Sequence, residues 1–296
     1  MSIQLSSGDG IGLVAPAGYV DRDSVRNGMD VLSTWGFRLK AADHLFGRYR
    51  YFSGKLEHRV EDIHSMLRDD SIQAVYAVRG GSGSSQLLPH LNFDLWRKFP
   101  KLFVGFSDVT ALQWSLWYKS GIPSWSGMTL TSQLHKKNPY KTLFLNQLLA
   151  LDKSISAKKL HTRDYVIAKA GRAEGILLGG NLSIIVSLLG TPYFPVINQD
   201  IIFFIEEINE PLYRIERAIV QLEQAGFFKC VKGMVLGRFK FKNRYLGIWS
   251  AVKPFIPDNI PIIVNFPYGH FSNSCALPLG VKSALSTHPL KIEWQF

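Results

Sequence analysis

Three kinds of side chain in this sequence stand where acyl-transfer chemistry could use them. Ser107 lies in Leu102-Phe-Val-Gly-Phe-Ser107-Asp108-Val-Thr-Ala-Leu-Gln-Trp114, a short apolar strand that runs through a glycine into a helical apolar pattern. A serine on so sharp a strand-to-helix turn is lifted clear of the sheet, with the first N–H groups of the helix beside it. The local Gly-Phe-Ser-Asp motif lacks the second glycine of the Gly-x-Ser-x-Gly elbow, so it points to a nucleophile only in company. A serine hydroxyl needs a base at neutral pH, and the base needs a carboxylate to fix its tautomer. Of the eight histidines, His44, His58, His64, His135 and His161 lie in polar stretches, and His90 and His288 flank prolines. His270 differs, because it closes Ile262-Ile-Val-Asn-Phe-Pro-Tyr-Gly-His270, an apolar strand running into a Pro and Gly turn that can hold a ring over a cleft. The carboxylate has a comparable address in Asp200-Ile-Ile-Phe-Phe-Ile-Glu206-Glu207-Ile-Asn-Glu210, a buried-strand pattern that ends abruptly in acids. Spacing alone does not choose among Glu206, Glu207 and Glu210.

The elements that must position these groups alternate. Gly10 to Ala15 reads as a strand, Ser24 to Thr34 and Leu56 to Arg68 as helices, and Ala74 to Val78 as a strand opening onto Arg79-Gly80-Gly81-Ser-Gly83. The strand and helix around Ser107 follow. Strands alternating with helices predict a parallel, doubly wound sheet, and ligand sites in such sheets gather at the carboxyl ends of the strands. From 132 to 172 the pattern loosens into a lysine-rich connection with one amphipathic segment, Leu143 to Leu151. Beyond it, Gly175 to Asn181, Ile201 to Ile205, Gly233 to Gly237 and Ile262 to Val264 read as strands, with helices from Asn181 to Leu189 and Tyr213 to Ala225. The expected architecture is therefore α/β, with an N-terminal doubly wound domain (1–131), a linker (132–172) and a smaller C-terminal α/β domain (173–296).

At 296 residues and 46% hydrophobic content the chain can bury a large core in two domains. No apolar stretch approaches the ~20 residues of a membrane helix, and the first ten residues have neither the basic nor the apolar region of a secretory signal. Cys230 and Cys275 are too few for a disulfide framework or a zinc site, so the expectation is a cytoplasmic protein without a metal or other cofactor. The formal charge of +11 is concentrated in Lys136, Lys137, Lys141, Lys153, Lys158, Lys159, Arg163, Lys169 and Arg172, with a second group at Lys240, Lys242 and Arg244. These runs carry little aromatic interleaving and no DNA-binding motif, which argues against nucleic acid and for a solvated surface that can attract anionic substrates. The glycine loop at 79–83 fits neither the dinucleotide fingerprint nor the Walker pattern.

Seven blocks, in order, carry a resemblance. They are Val14-Ala-Pro-Ala-Gly18, Phe52-Ser-Gly54 followed by Arg59, Arg79-Gly80-Gly81-Ser-Gly83, Gly105-Phe-Ser107-Asp108-Val-Thr-Ala-Leu112, Gly179-Gly180-Asn181-Leu-Ser183, Glu206-Glu207 with Glu210-Pro-Leu-Tyr-Arg-Ile-Glu216-Arg217, and Phe266-Pro-Tyr-Gly-His270 leading to Leu277-Pro-Leu-Gly280. In these the chain resembles the LD-carboxypeptidase family, serine peptidases that include muramoyltetrapeptide carboxypeptidases and microcin C immunity peptidases. The resemblance implies Ser107 as nucleophile, His270 as general base and acid, and Glu206 as the carboxylate that orients the ring, with the site at the domain interface. It further implies an oxyanion hole from the backbone N–H groups of Gly81 and Asp108, with Gly80 beside the substrate. Arg79 is the candidate to hold a terminal carboxylate, since a guanidinium fork matches two oxygens. The family often has serine where Ala17 stands and tyrosine where Ser82 stands, and the second departure bears on substrate fit. The implied activity is removal of the terminal D-alanine from murein-derived tetrapeptides by a cytoplasmic homodimer that binds neither nucleic acid nor membrane. Two rivals remain: an immunity-type peptidase acting on a peptidyl-nucleotide, and a non-catalytic basic binding protein on the same fold.

Overall fold

The computed structural model describes residues 4–161, 165–242, 244–245 and 247–296. Arg163, counted above in the basic stretch, lies outside them. Short strands of three to five residues, apolar in β1, β3 and β4, form the parallel part of the first sheet: β1 (Gly10–Val14), β2 (Arg38–Ala41), β3 (Ala74–Ala77), β4 (Leu102–Gly105) and β5 (Ser124–Ser126). Between them run α1 (Arg22–Thr34), α2 (Leu56–Arg68), α3 (Phe93–Lys98) and α4 (Thr110–Ser120). Strand order 2-1-3-4-5 puts a topological switch between β1 and β3, where neighbouring loops diverge and leave a crevice. The loop after β1 and the glycine loop after β3 meet there, and Gly18 N–H donates to the Gly80 carbonyl at 3.1 Å.

The stretch expected to be a linker is more ordered than its composition implied. It holds α5 (Lys141–Leu148), β6 (Ser154–Ser156) and β7 (Val166–Lys169). The last two become the outermost strands of the second sheet, β6 antiparallel to β15 (Leu290–Gln295) and β7 antiparallel to β12 (Ile262–Val264). The interior of that sheet is parallel: β8 (Arg172–Asn181), β9 (Ile201–Ile208), β10 (Val231–Phe241) and β12. The two-residue β11 (Arg244–Tyr245) pairs with the end of β10, and β14 (Val281–Thr287) joins β8 to β15. Helices α6 (Leu182–Ser187), α7 (Leu212–Gln224) and α8 (Trp249–Val252) complete this half. One strand crosses over: β13 (Leu277–Leu279) pairs antiparallel with β5 and closes the edge of the first sheet.

The halves are also joined by packing. Trp114 on α4 is fully buried, donates its indole N–H to the Gly179 carbonyl of β8 at 2.8 Å, and lies against the rings of Phe194, Phe203 and Phe227. Burying an indole of 150–250 Å² contributes roughly 4–6 kcal/mol of transfer free energy, so this one side chain helps to fasten the two sheets. Among the described residues, no helix is long and apolar enough to cross a membrane.

Candidate active site

Strand β4 ends at Gly105, and Phe106 follows in extended conformation (φ −160°, ψ 161°). Ser107 then turns into the left-handed region at φ 65°, before a short 3-10 turn leads into α4. A residue with a Cβ is strained there, and the strain persists only where the surroundings enforce it. The glycine loop supplies much of that enforcement. A Cβ on Gly80 would fall 2.7 Å from the Ser107 Cβ and 3.1 Å from its Oγ, so only a bare backbone fits against the serine. The loop is itself held from two sides. Asp108 accepts the Ser84 N–H at 2.8 Å, and the buried Arg59 donates to the carbonyls of Pro16 (2.9 Å) and Gly83 (3.1 Å).

The imidazole and carboxylate come from the second half. His270 Nε2 lies 2.9 Å from Ser107 Oγ, and its Nδ1 lies 2.6 Å from Glu206 Oε2. Glu206 is fully buried at the carboxyl end of β9, while the His270 side chain is 20% exposed. Burial, the largest single influence on His270, disfavours the imidazolium, but the charge and hydrogen bond of Glu206, with the charge of Glu207 behind them, outweigh it and raise the pKa above its ordinary value. Gly269 has φ +142°, and a Cβ there would lie 2.9 Å from the Arg238 carbonyl, so the turn that delivers His270 over Glu206 requires glycine.

The three acids left open by spacing part company. Glu207 faces its own strand end, accepting the Asn181 side-chain amide (2.8 Å), the Ser183 N–H (2.8 Å) and hydroxyl (2.6 Å), and the Ile208 N–H (2.8 Å). Burial and the neighbouring Glu206 charge push its pKa up. Glu210, just before α7, pairs with Arg214 of its first turn at 3.2 Å. Only Glu206 meets the imidazole.

Two residues to which the sequence assigned no role complete the arrangement. Asn181 bridges both carboxylates, donating its side-chain amide to Glu206 Oε1 (3.1 Å) as well as to Glu207. It stands in the Gly-Gly-Asn-Leu-Ser block, opposite Glu206 in the β8–β9 register. Gln133, buried in the first half, donates to the carbonyls of Gly269 (3.1 Å) and Phe271 (3.3 Å), on either side of His270, and accepts the Thr129 N–H (3.1 Å). No local pattern marks it.

A cavity of about 520 Å³ opens over this group, lined by Ser107, His270, Gly80, Gly81 and Arg79 together with Asp21, Thr131 and Asn209. Arg79 donates through Nη1 to the Tyr19 carbonyl at 2.8 Å, which fixes the guanidinium at the cavity rim. The structure thus brings together Ser107, His270, Glu206, Gly80, Gly81 and Arg79, with the Asp108 backbone next to the serine. Among the described residues, no group of three or more His, Cys, Asp or Glu could hold a metal ion.

Comparison with known proteins gives consistent matches. Residues 11–127 match the LD-carboxypeptidase N-terminal domain and residues 174–285 the LD-carboxypeptidase C-terminal domain. The chain is 31% identical to the probable murein peptide carboxypeptidase of Bacillus subtilis, over 96% of this chain and 90% of that protein. Among solved structures, the muramoyltetrapeptide carboxypeptidase of Oxalobacter formigenes superposes with a TM-score of 0.82 at 30% identity, covering 96% of this chain and 97% of the other. An MccF-like protein of Bacillus anthracis gives 0.87 at 29% identity, covering 98% and 97%; MccF is a microcin C7 self-immunity protein.

Proposed function

The chain belongs to the LD-carboxypeptidase family, and from that premise we propose that it is a serine-type carboxypeptidase releasing the terminal D-alanine of murein-derived tetrapeptides. The observation that carries this reading is the His270 ring, placed between Ser107 Oγ at 2.9 Å and Glu206 Oε2 at 2.6 Å. In this mechanism Ser107 Oγ attacks the scissile carbonyl as His270 Nε2 takes its proton. The oxyanion of the tetrahedral intermediate is met by the backbone N–H groups of Gly81 and Asp108, where one donor is worth about 2.7–4 kcal/mol. Collapse breaks the C–N bond, and the imidazolium returns its proton to the departing amine of D-alanine. Water then enters, gives a proton to His270 and hydrolyses the acyl-enzyme, restoring Ser107. On this reading the nucleophile belongs to a domain spanning 1–131 and its partners to one spanning 173–296, a division supported by the two matched ranges.

Mass spectrometry of a murein tetrapeptide incubated with the protein tests the proposal: loss of one alanine is expected, and D-amino acid oxidase should consume the product. The likeness to an MccF-like structure supports a second reading, cleavage of a peptidyl-nucleotide by the same groups. Supplying both substrates in one assay separates the two, because release of free nucleotide from the peptidyl-nucleotide in preference to D-alanine overturns the first.

Arg79 gives the reading its exopeptidase character by pairing with the free terminal carboxylate. A charge-assisted hydrogen bond is worth about 1.5–3 kcal/mol, so Arg79→Ala should raise KM for the tetrapeptide about 10- to 100-fold. The C-terminal amide should be affected far less, and equal losses on both substrates remove Arg79 from this role. Gln133 acts through His270 as a positioning residue. Gln133→Ala leaves the carbonyls of Gly269 and Phe271 without their donor, and small misplacement of a catalytic group costs on the order of 10²-fold. The loss should fall on kcat with KM nearly unchanged, and an unaltered kcat shows that the loop holds itself.

A further inference from the structure

A second cavity, of about 480 Å³, lies between the first turn of α2 and the 43–49 loop and shares no lining residue with the Ser107 cavity. Its walls bring together Arg22, Arg48, Lys55, His44 and His58, with Asp43 as the one acid among the lining residues. We propose that this cavity is a binding site for a phosphoryl group, as phosphate or diphosphate on a small molecule, separate from the site around Ser107.

The cations are arranged in advance of any ligand. The Arg22 guanidinium lies 4.3 Å from the centroid of the Phe46 ring, and that of Arg48 lies 4.2 Å from the Tyr19 ring. Stacking restrains a guanidinium and leaves its N–H edge directed outward, so less entropy is lost when an anion is bound. His44 and His58 are stacked almost parallel, with centroids 4.1 Å apart and an interplanar angle of 15°. His44 is fixed from behind: Asp62, only 4% exposed, accepts its backbone N–H at 3.2 Å and sits 2.8 Å from Nδ1, so Nε2 is the nitrogen available to a ligand. Two imidazoles held this close repel when both are charged, and an anion beside them relieves that repulsion.

Geometry favours phosphoryl over carboxylate. Two guanidinium groups, an ammonium and imidazole nitrogens line one cavity and offer more donors than a planar carboxylate, satisfied by one fork, can use, which suits the several oxygens of a tetrahedral group. The loop carrying Arg48 and Tyr49 is closed by reciprocal hydrogen bonds between Tyr49 and Phe52, both 3.0 Å, so the wall is a built turn.

Calorimetric titration of the intact protein with sodium pyrophosphate tests the site independently of any peptidase activity. Saturable binding is expected, weakened about tenfold by Arg48→Ala and by His58→Gln, the loss of one charge-assisted contact, and unaltered by Arg79→Ala. Thermal unfolding of each variant checks that it is folded. Absence of saturable binding, equal binding by both pocket variants, or loss on Arg79→Ala in place of them overturns the assignment. The source of the phosphoryl group is read by comparing kcat/KM for a peptide with and without a phosphoryl group at its amino end. A gain that Arg48→Ala abolishes assigns the group to the substrate, and equal rates assign it to a separate molecule.

Discussion

Replacing Ser107 with alanine is expected to lower kcat for release of D-alanine by about 10⁵- to 10⁶-fold, the scale seen when the nucleophile of a serine-histidine-acid unit is removed. Substitution leaves a Cβ at the same left-handed backbone position, so it removes the hydroxyl and its 2.9 Å contact with His270 without changing what the turn must accommodate. Substrate binding should therefore persist, and the thermal midpoint should move by no more than a few degrees. A residual rate of about 10³- to 10⁴-fold over water is expected from oxyanion stabilisation and binding alone. Single-turnover assays with the tetrapeptide measure the loss directly. A serine-reactive phosphonate supplies a second readout: it should label Ser107 in the wild type and fail to do so in His270→Ala. Retention of activity within tenfold places the nucleophile elsewhere, and absence of labelling in the wild type favours a binding protein that has kept the fold.

The residues whose chemistry was legible in the sequence share one property: each ends a regular element. Ser107 follows β4 through Gly105, His270 follows β12 through a Pro and Gly turn, and Glu206 and Glu207 close β9. Spacing could not choose between the two glutamates, because adjacent residues on a strand point to opposite faces. Which face meets the cleft is decided by packing against β8 and β10, not by anything within the strand. Asn181 belongs to the same class of hidden information, since it works by lying opposite Glu206 across a parallel pair. Gln133 is more remote still, hydrogen-bonded to carbonyls 136 and 138 positions away. The edge strands β6 and β7 escaped notice for another reason. Ser154-Ile-Ser156 and Val166-Ile-Ala-Lys169 are only three and four residues long and carry too little periodicity to register, and such short strands are what sheet edges favour. Leu277-Pro-Leu279 carries a proline that cannot donate to a ladder, yet it pairs with β5 at an outer edge where that donor is not needed.

Glu206→Gln should separate the orienting role of the carboxylate from its shape, and its effect is the second largest expected. An amide in place of the acid can hold the ring in the wrong tautomer, which costs about 10⁴-fold in kcat in a comparable unit. The pH profile gives the sharper test. His270 must be neutral to accept the Ser107 proton, so activity falls on the acid side as its imidazole protonates. In the wild type the pull of Glu206, through charge and hydrogen bond, outweighs burial and raises that pKa, placing the acid limb of kcat/KM above the ordinary histidine value of about 6.5. With glutamine the charge is gone and burial is the dominant remaining influence, so the limb should move to lower pH as kcat falls. Glu207→Gln, which removes only the more distant charge, should move it far less. Stability must follow the same sign. A histidine with a raised folded pKa contributes stability that is full below its unfolded pKa and lost as pH rises through the folded one. The gap in melting temperature between wild type and Glu206→Gln should accordingly be wider at pH 6 than at pH 9. An acid limb that stays in place when Glu206 is neutralised means that the 2.6 Å contact does not govern the imidazole, and the general base must then be sought in another group.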